Sequence, residues 1–193
     1  MSARRSPGRI ARLRPAALDV AQRELYEAIV GARASGPQAF PLVDDEGGLE
    51  GPFNAMLLRP QLGGPLQALG AALRFGGSLP ARRREIAILV VAQVWDSDFE
   101  RSAHEAVGRA VGLSDGDLGA IRDERFDRLA DADERAVAEV TLALARRGDL
   151  TDEEFERACD ALGEPTVFEL TTLVGYYATL ALQLRVFRVV TPG

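Results

Sequence analysis

The chain has 193 residues, 47% of them hydrophobic and 27% charged, and its formal net charge is −6, which fits one globular domain of ordinary size. All 23 cations are arginine, which excludes lysine imine chemistry, lysine-anchored pyridoxal phosphate and a P-loop. A single cysteine, Cys159, and a single histidine, His104, exclude an intramolecular disulfide, every Cys-x-x-Cys framework and the ordinary multi-histidine metal sites.

In chain order, residues 1–14 carry Arg4, Arg5, Arg9, Arg12 and Arg14 with no acid, and residues 15–193 carry a net −11. We read 1–14 as a flexible basic arm and 15–193 as a helical domain. An acidic body lacks the clustered cations that phosphate neutralisation needs, so no nucleic-acid partner is expected. No apolar h-region follows the arm, and the longest apolar run, residues 86–92, is too short to span a bilayer. A soluble, cytoplasmic protein with no membrane partner is the expectation.

Residues 15–33 place Leu18, Leu25, Ile29 and Val30 near helical spacing. Turn formers then dominate residues 31–52 and 60–65. Residues 81–94 are apolar on every side after an arginine-rich start, so periodicity cannot separate a buried strand from a buried helix. No second strand-like run offers a partner, and this segment is predicted as the central helix. Ser114 with Asp117, Asp131 with Glu134, and Thr151 with Glu154 have capping-box spacing, where side chains satisfy orphan amides at a helix start. The second of these opens a helix that should stop at Arg146-Arg147-Gly148, with cations in its last turn and a glycine beyond. Pro165 suits a first helical position, and the apolar stretch 167–187 requires a deeply buried final helix.

The informative stretch runs from Arg84-Glu85 to His104. A buried helix ends near Trp95, the chain turns at Asp96 or Ser97, and a second helix begins. Glu100 and His104 share one face of that helix at i,i+4 spacing. Glu85 lies about 11 residues before the turn and His104 about 8 after it; at ~1.5 Å rise per residue their depths in a hairpin nearly match. Glu85, Ser97, Glu100 and His104 can therefore meet at one pocket, and a carboxylate holding an imidazole in one tautomer suits proton transfer near neutral pH. The same residues allow another account. Ser97 and Glu100 have capping-box spacing, Glu100 and His104 can be a solvated pair, and Glu85 can be one surface charge beside Arg82, Arg83 and Arg84.

The segment LPARRREIAILVVAQVWDSDFERSAHEAVGRAVGLSDGDL resembles the carboxymuconolactone decarboxylase family, which includes the alkylhydroperoxidase D-like proteins. The family's Arg-Glu helix opening, its Tyr-Glu-Trp-x-x-His helix and its Ala-Gly-Leu-Ser turn read here as Arg84-Glu85, Phe99-Glu100-Arg101-Ser102-Ala103-His104 and Val111-Gly112-Leu113-Ser114. Gly51-Pro52-Phe53-Asn54 with Pro60, and the closing stretch from Glu169 to Leu184, extend the resemblance to about residues 15–187. It implies an all-α, alkylhydroperoxidase D-like helical bundle around a buried central hairpin, assembled as trimers or hexamers.

The peroxidase branch carries two thiols where this chain has Ser97 and Glu100, and peroxide reduction needs an attacking and a resolving thiol. A thiol peroxidase is not expected. The resemblance implies instead a cofactor-free enzyme acting on a small organic acid or lactone by decarboxylation or a linked proton transfer. His104 is its acid or base, Glu100 orients it and Glu85 relays the proton. Ser97 and Arg101 are candidate substrate-binding residues, with Arg101 as a carboxylate anchor; Trp95, Phe99, Tyr176 and Tyr177 are candidate pocket walls. The alternatives are a catalytically silent small-molecule-binding or structural oligomer of the same fold, and a partner-binding module that uses the basic arm.

Overall fold

The computed structural model describes residues 8–33 and 41–190. It places nine α-helices among them: α1 (Val20–Arg33), α2 (Phe53–Met56), α3 (Pro60–Ala71), α4 (Ala81–Val94), α5 (Asp98–Ala110), α6 (Asp115–Arg122), α7 (Ala132–Arg147), α8 (Asp152–Leu162) and α9 (Glu164–Phe187). The described residues contain no β-strand, only an isolated bridge between Val43 and Leu49. The all-α expectation is met.

The segment that periodicity left ambiguous is α4. It stays helical despite its β-branched run because it is enclosed: α5, α7 and α9 all pack on it, and every residue from Glu85 to Ala92 is buried. A helix that is apolar on all sides belongs in the middle of a bundle. Ala87, Ile88 and Val91 join a large cluster with Ile29, Phe53, Leu57, Val137, Leu170 and Leu173. Ile86, Leu89 and Val90 face the other way, onto Leu118, Ile121, Phe126 and Leu129.

The local signals hold where the structure tests them. Ser114 and Thr151 form reciprocal capping boxes, while Asp131 makes the forward bond alone, accepting from the Glu134 amide. Gly148 closes α7 at φ 71°, a left-handed conformation open to glycine, and its N–H reaches the Leu144 carbonyl. Among the described residues, α9 is one helix long and apolar enough to cross a membrane, yet half of that stretch is buried against the other helices. Its apolar excess serves the core.

The basic arm departs from expectation. Residues 1–7 lie outside the described residues, but residues 8–14 are tied to the body. The Arg9 amide donates to the Phe187 carbonyl at 2.8 Å, and the Leu13 amide to Asn54 Oδ1 at 2.8 Å. Arg12 and Arg14 both pair with Asp44, at 3.0 and 2.7 Å, and Arg12 also pairs with Glu50. Cations without local acids found distant ones, so the segment is a docked strap rather than a free tail.

Candidate active site

The site grows from the α4–α5 connection. Trp95 caps α4, and Asp96 turns the chain at φ 50°, a left-handed conformation that a short polar side chain tolerates. The Ser97 amide bonds back to the Ala92 carbonyl at 2.9 Å, and α5 begins at Asp98. This tight turn folds α5 onto α4 and brings two residues 19 positions apart into contact.

Glu85, with no solvent exposure, faces His104, whose side chain is 13% exposed. Glu85 Oε2 lies 2.6 Å from His104 Nδ1. With Glu85 as a carboxylate, which can only accept, this contact requires the proton on Nδ1 and leaves the ring's other nitrogen, Nε2, to exchange protons. Tyr177 of α9 stands edge-on to the imidazole, with centroids 5.3 Å apart at 88°, and Tyr176 stands edge-on to Tyr177 at 5.1 Å. Burial, with the Glu85 charge behind it, pushes the Tyr177 phenol well above its ordinary range, so it stays protonated.

One turn before His104, Glu100 is 3% exposed and Ser97 is 1% exposed. The capping box their spacing allowed does not form: Ser97 makes no side-chain cap bond. Both Glu100 oxygens and Ser97 Oγ are buried with no hydrogen-bond partner beyond each other. Burial raises the Glu100 carboxyl to about 8, while the nearby Ser97 hydroxyl pulls weakly the other way. At pH 7 most of it is neutral acid, a buried proton donor. The solvated-pair reading of Glu100 and His104 is therefore set aside. It is Glu85 rather than Glu100 that contacts the imidazole.

The other predicted residues are placed unevenly. Arg101 forms an ion pair with Asp98 on the surface of α5. Phe99 packs with Ala103 and Leu184 in a small apolar cluster. Trp95 packs against the main core, and its carbonyl accepts from Arg185 at 2.6 Å. Tyr176 is one ring removed from His104, and its hydroxyl abuts α3 at Gly70, where a Cβ would lie 2.1 Å from it. Two cavities, of about 510 Å³ between α7 and α8 and about 350 Å³ beneath the strap, are lined by none of these residues. Among the described residues no three His, Cys, Asp or Glu side chains converge as a metal site.

Sequence reasoning missed Arg84, grouping it with its neighbours as a surface charge. Arg82 binds Glu134 at 2.5 Å and Asp117 at 3.1 Å, and Arg83 binds Asp133 at 2.7 Å. Arg84 has no such bond; its Nε is buried without a partner, 3.8 Å from Glu85 Oε1. Three consecutive arginines in the first turn of a helix, where cations are disfavoured, were the available signal.

Residues 60–143 match the model of the carboxymuconolactone decarboxylase family. Among solved structures, the alkylhydroperoxidase AhpD core of an uncharacterized peroxidase-related protein from Ralstonia eutropha superposes with a TM-score of 0.77 at 14% identity, covering 97% of this chain and 94% of that one. A protein of unknown function from Agrobacterium tumefaciens gives 0.67 at 18% identity, covering 75% and 99%. A single-residue variant of the debrominase Bmp8, solved in complex with 2,3,4-tribromopyrrole, gives 0.68 at 11% identity, covering 88% and 84%. No curated protein matches by sequence.

Proposed function

With residues 60–143 matching the carboxymuconolactone decarboxylase family and the chain folded like the AhpD core, we propose that the protein is a cofactor-free proton-transfer enzyme, a lyase acting on a small organic acid or lactone. The observation that carries this reading is the fully buried Glu85 carboxylate holding His104 at 2.6 Å, with Nε2 left to act. In decarboxylation of a β-keto acid, the carbon–carbon bond to the carboxylate breaks, CO₂ leaves, and the electron pair forms an enolate. His104, having first taken a proton from solvent at Nε2, delivers it to the carbon and returns to the neutral ring; Glu85 compensates the charge of the imidazolium, and Glu100 as a neutral acid is suited to hydrogen-bond the developing enolate oxygen and keep its own proton. Peroxide reduction by thiols is outside this chemistry, since Ser97 and Glu100 stand where that branch has its cysteines and the one cysteine, Cys159, lies on α8.

The test is turnover across a panel of β-keto acids and lactones, read as CO₂ release and as deuterium uptake at carbon. His104→Ala is expected to lose about 10²–10⁴-fold; an unchanged rate on a substrate that wild type turns over would sink the assignment. A catalytically silent binding oligomer is the second reading, favoured by the replacement of both thiol positions. It predicts tight ligand binding with no turnover anywhere in the panel. We further propose a homo-oligomeric, cytoplasmic protein, because Phe168, Leu182 and Val186 leave α9 with exposed apolar side chains that a second copy can cover. A monomer in light scattering at micromolar concentration would contradict that assembly.

A further inference from the structure

We propose that Arg84 is the anion-binding residue of the His104 site and that it receives a carboxylate group of the ligand; this rests on the reading of Glu85 and His104 as the reacting centre. The three arginines that open α4 are not equivalent. Arg82 and Arg83 each close an ion pair with acids of the α6 and α7 region. Arg84 is 14% exposed along its side chain, its Nε is buried without a hydrogen bond, and its one ion pair is a long one, 3.8 Å to Glu85 Oε1, which also makes no hydrogen bond.

Two penalties fall on this one side chain. A buried N–H without an acceptor is something folded proteins largely avoid. A cation in the first turn of a helix also meets the positive end of its dipole. An anionic ligand removes both, since it supplies the missing acceptor and compensates the charge. The position is fixed relative to the chemistry through a single carboxylate: Glu85 Oε1 faces Arg84, and Oε2 of the same group holds His104 at 2.6 Å. Of the other buried polar atoms without a hydrogen bond, Ser97 Oγ and the Glu100 carboxyl lie at the start of α5, and Thr141 Oγ1 lies on α7. The planar guanidinium fork suits a carboxylate better than an ammonium would. Arg101, the anchor that the sequence suggested, is already engaged by Asp98.

The experiment uses the chain's only histidine as its reporter. Benzoate and acetate, each against its neutral amide, are titrated into ¹⁵N-labelled protein while the His104 ring resonances are followed. Wild type is expected to bind at least one carboxylate tenfold or more tightly than the matching amide. Arg84→Met, which keeps the apolar stem, is expected to lose that binding tenfold or more, and Arg84→Lys to recover part of it. Arg83→Ala deletes a neighbouring charge and should bind within twofold of wild type. Circular dichroism melts of each variant establish that it is folded. The proposal is overturned if no carboxylate moves the His104 signals, if Arg84→Met binds within twofold of wild type, or if Arg83→Ala loses as much. Carboxylate binding lost in Arg84→Met, alongside a wild type that turns nothing over, would keep the anchor and remove the proton-transfer reading. Turnover that depends on His104 while Arg84→Met binds normally would do the reverse.

Discussion

Glu85 Oε2 meets His104 Nδ1 at 2.6 Å across 19 residues of chain, and the carboxylate that makes the contact has no exposure to solvent. A buried acid on one helix thus dictates which nitrogen of an imidazole on the next carries the proton. Glu85→Gln preserves the shape of that acid and removes its charge. The expected result is a fall in turnover on the order of 10²-fold, with His104→Ala no worse than additive to it. In wild type at pH 8, ¹⁵N shifts of His104 should show a protonated Nδ1 and a bare Nε2; the opposite tautomer would refute the assigned orientation.

Glu100 gives a pH dependence with a definite sign. Its carboxyl is raised from an ordinary 4.5 to about 8 by burial, so between those values the folded chain holds a proton that the unfolded chain has released. Its contribution to stability is full below about 4.5, declines as pH rises and is gone above about 8. Glu100→Gln should flatten that decline and be the more stable protein at pH 9, by a few kcal/mol, on the order of the shift converted at ~1.4 kcal/mol per unit. Urea midpoints at pH 5, 7 and 9 measure it, and parallel pH profiles in the two proteins would contradict the buried-acid assignment.

The strap responds at the other end of the scale. Burial pushes the Asp44 carboxyl up, but the Gly48 amide, Arg14 and Arg12 outweigh it and hold it at about 2. A lowered value means that the stabilisation is present above about 4 and disappears as pH falls through about 2. Amide exchange at Leu13, whose N–H is bonded to Asn54, should accelerate across that window before the α4 amides lose protection. In Asp44→Asn the strap should already exchange faster at neutral pH.

Gly70 is a steric test of how α3 sits on α9. A methyl group there would come within 2.1 Å of the Tyr176 hydroxyl, and overpacking of this kind typically destabilises by about 1–3 kcal/mol. Gly70→Ala should lower the melting temperature even though alanine favours helix. Because the ring carbon Cζ would also lie 2.6 Å from that methyl, Tyr176→Phe should restore only part of the loss, and a neutral Gly70→Ala would show that the helices can part at no cost.

The helices themselves were legible because their signals are local. Capping residues at Ser114, Asp131 and Thr151, the Arg146-Arg147-Gly148 stop and the proline at 165 each act within a turn or two of chain. The candidate site was half legible. The matching depths of Glu85 and His104 anticipated their contact, but spacing alone allowed Ser97 and Glu100 to be an ordinary cap. Burial without a cap bond removed that account. Arg84 was hidden because nothing in the triplet of arginines distinguishes the one whose Nε is left without a hydrogen bond.

The sequence by itself determined the all-α class, the buried hairpin, the absence of thiol-pair and lysine chemistry, and the single imidazole on which any proton transfer must turn. These follow from composition and from interactions short in sequence. Tertiary structure alone decided which carboxylate meets His104, that burial raises the Glu100 carboxyl, that Arg101 pairs with Asp98 while Arg84 has only a long contact with Glu85, and that residues 8–14 are docked. Each depends on which faces of α4, α5, α7 and α9 meet, and on the desolvation that follows when they do.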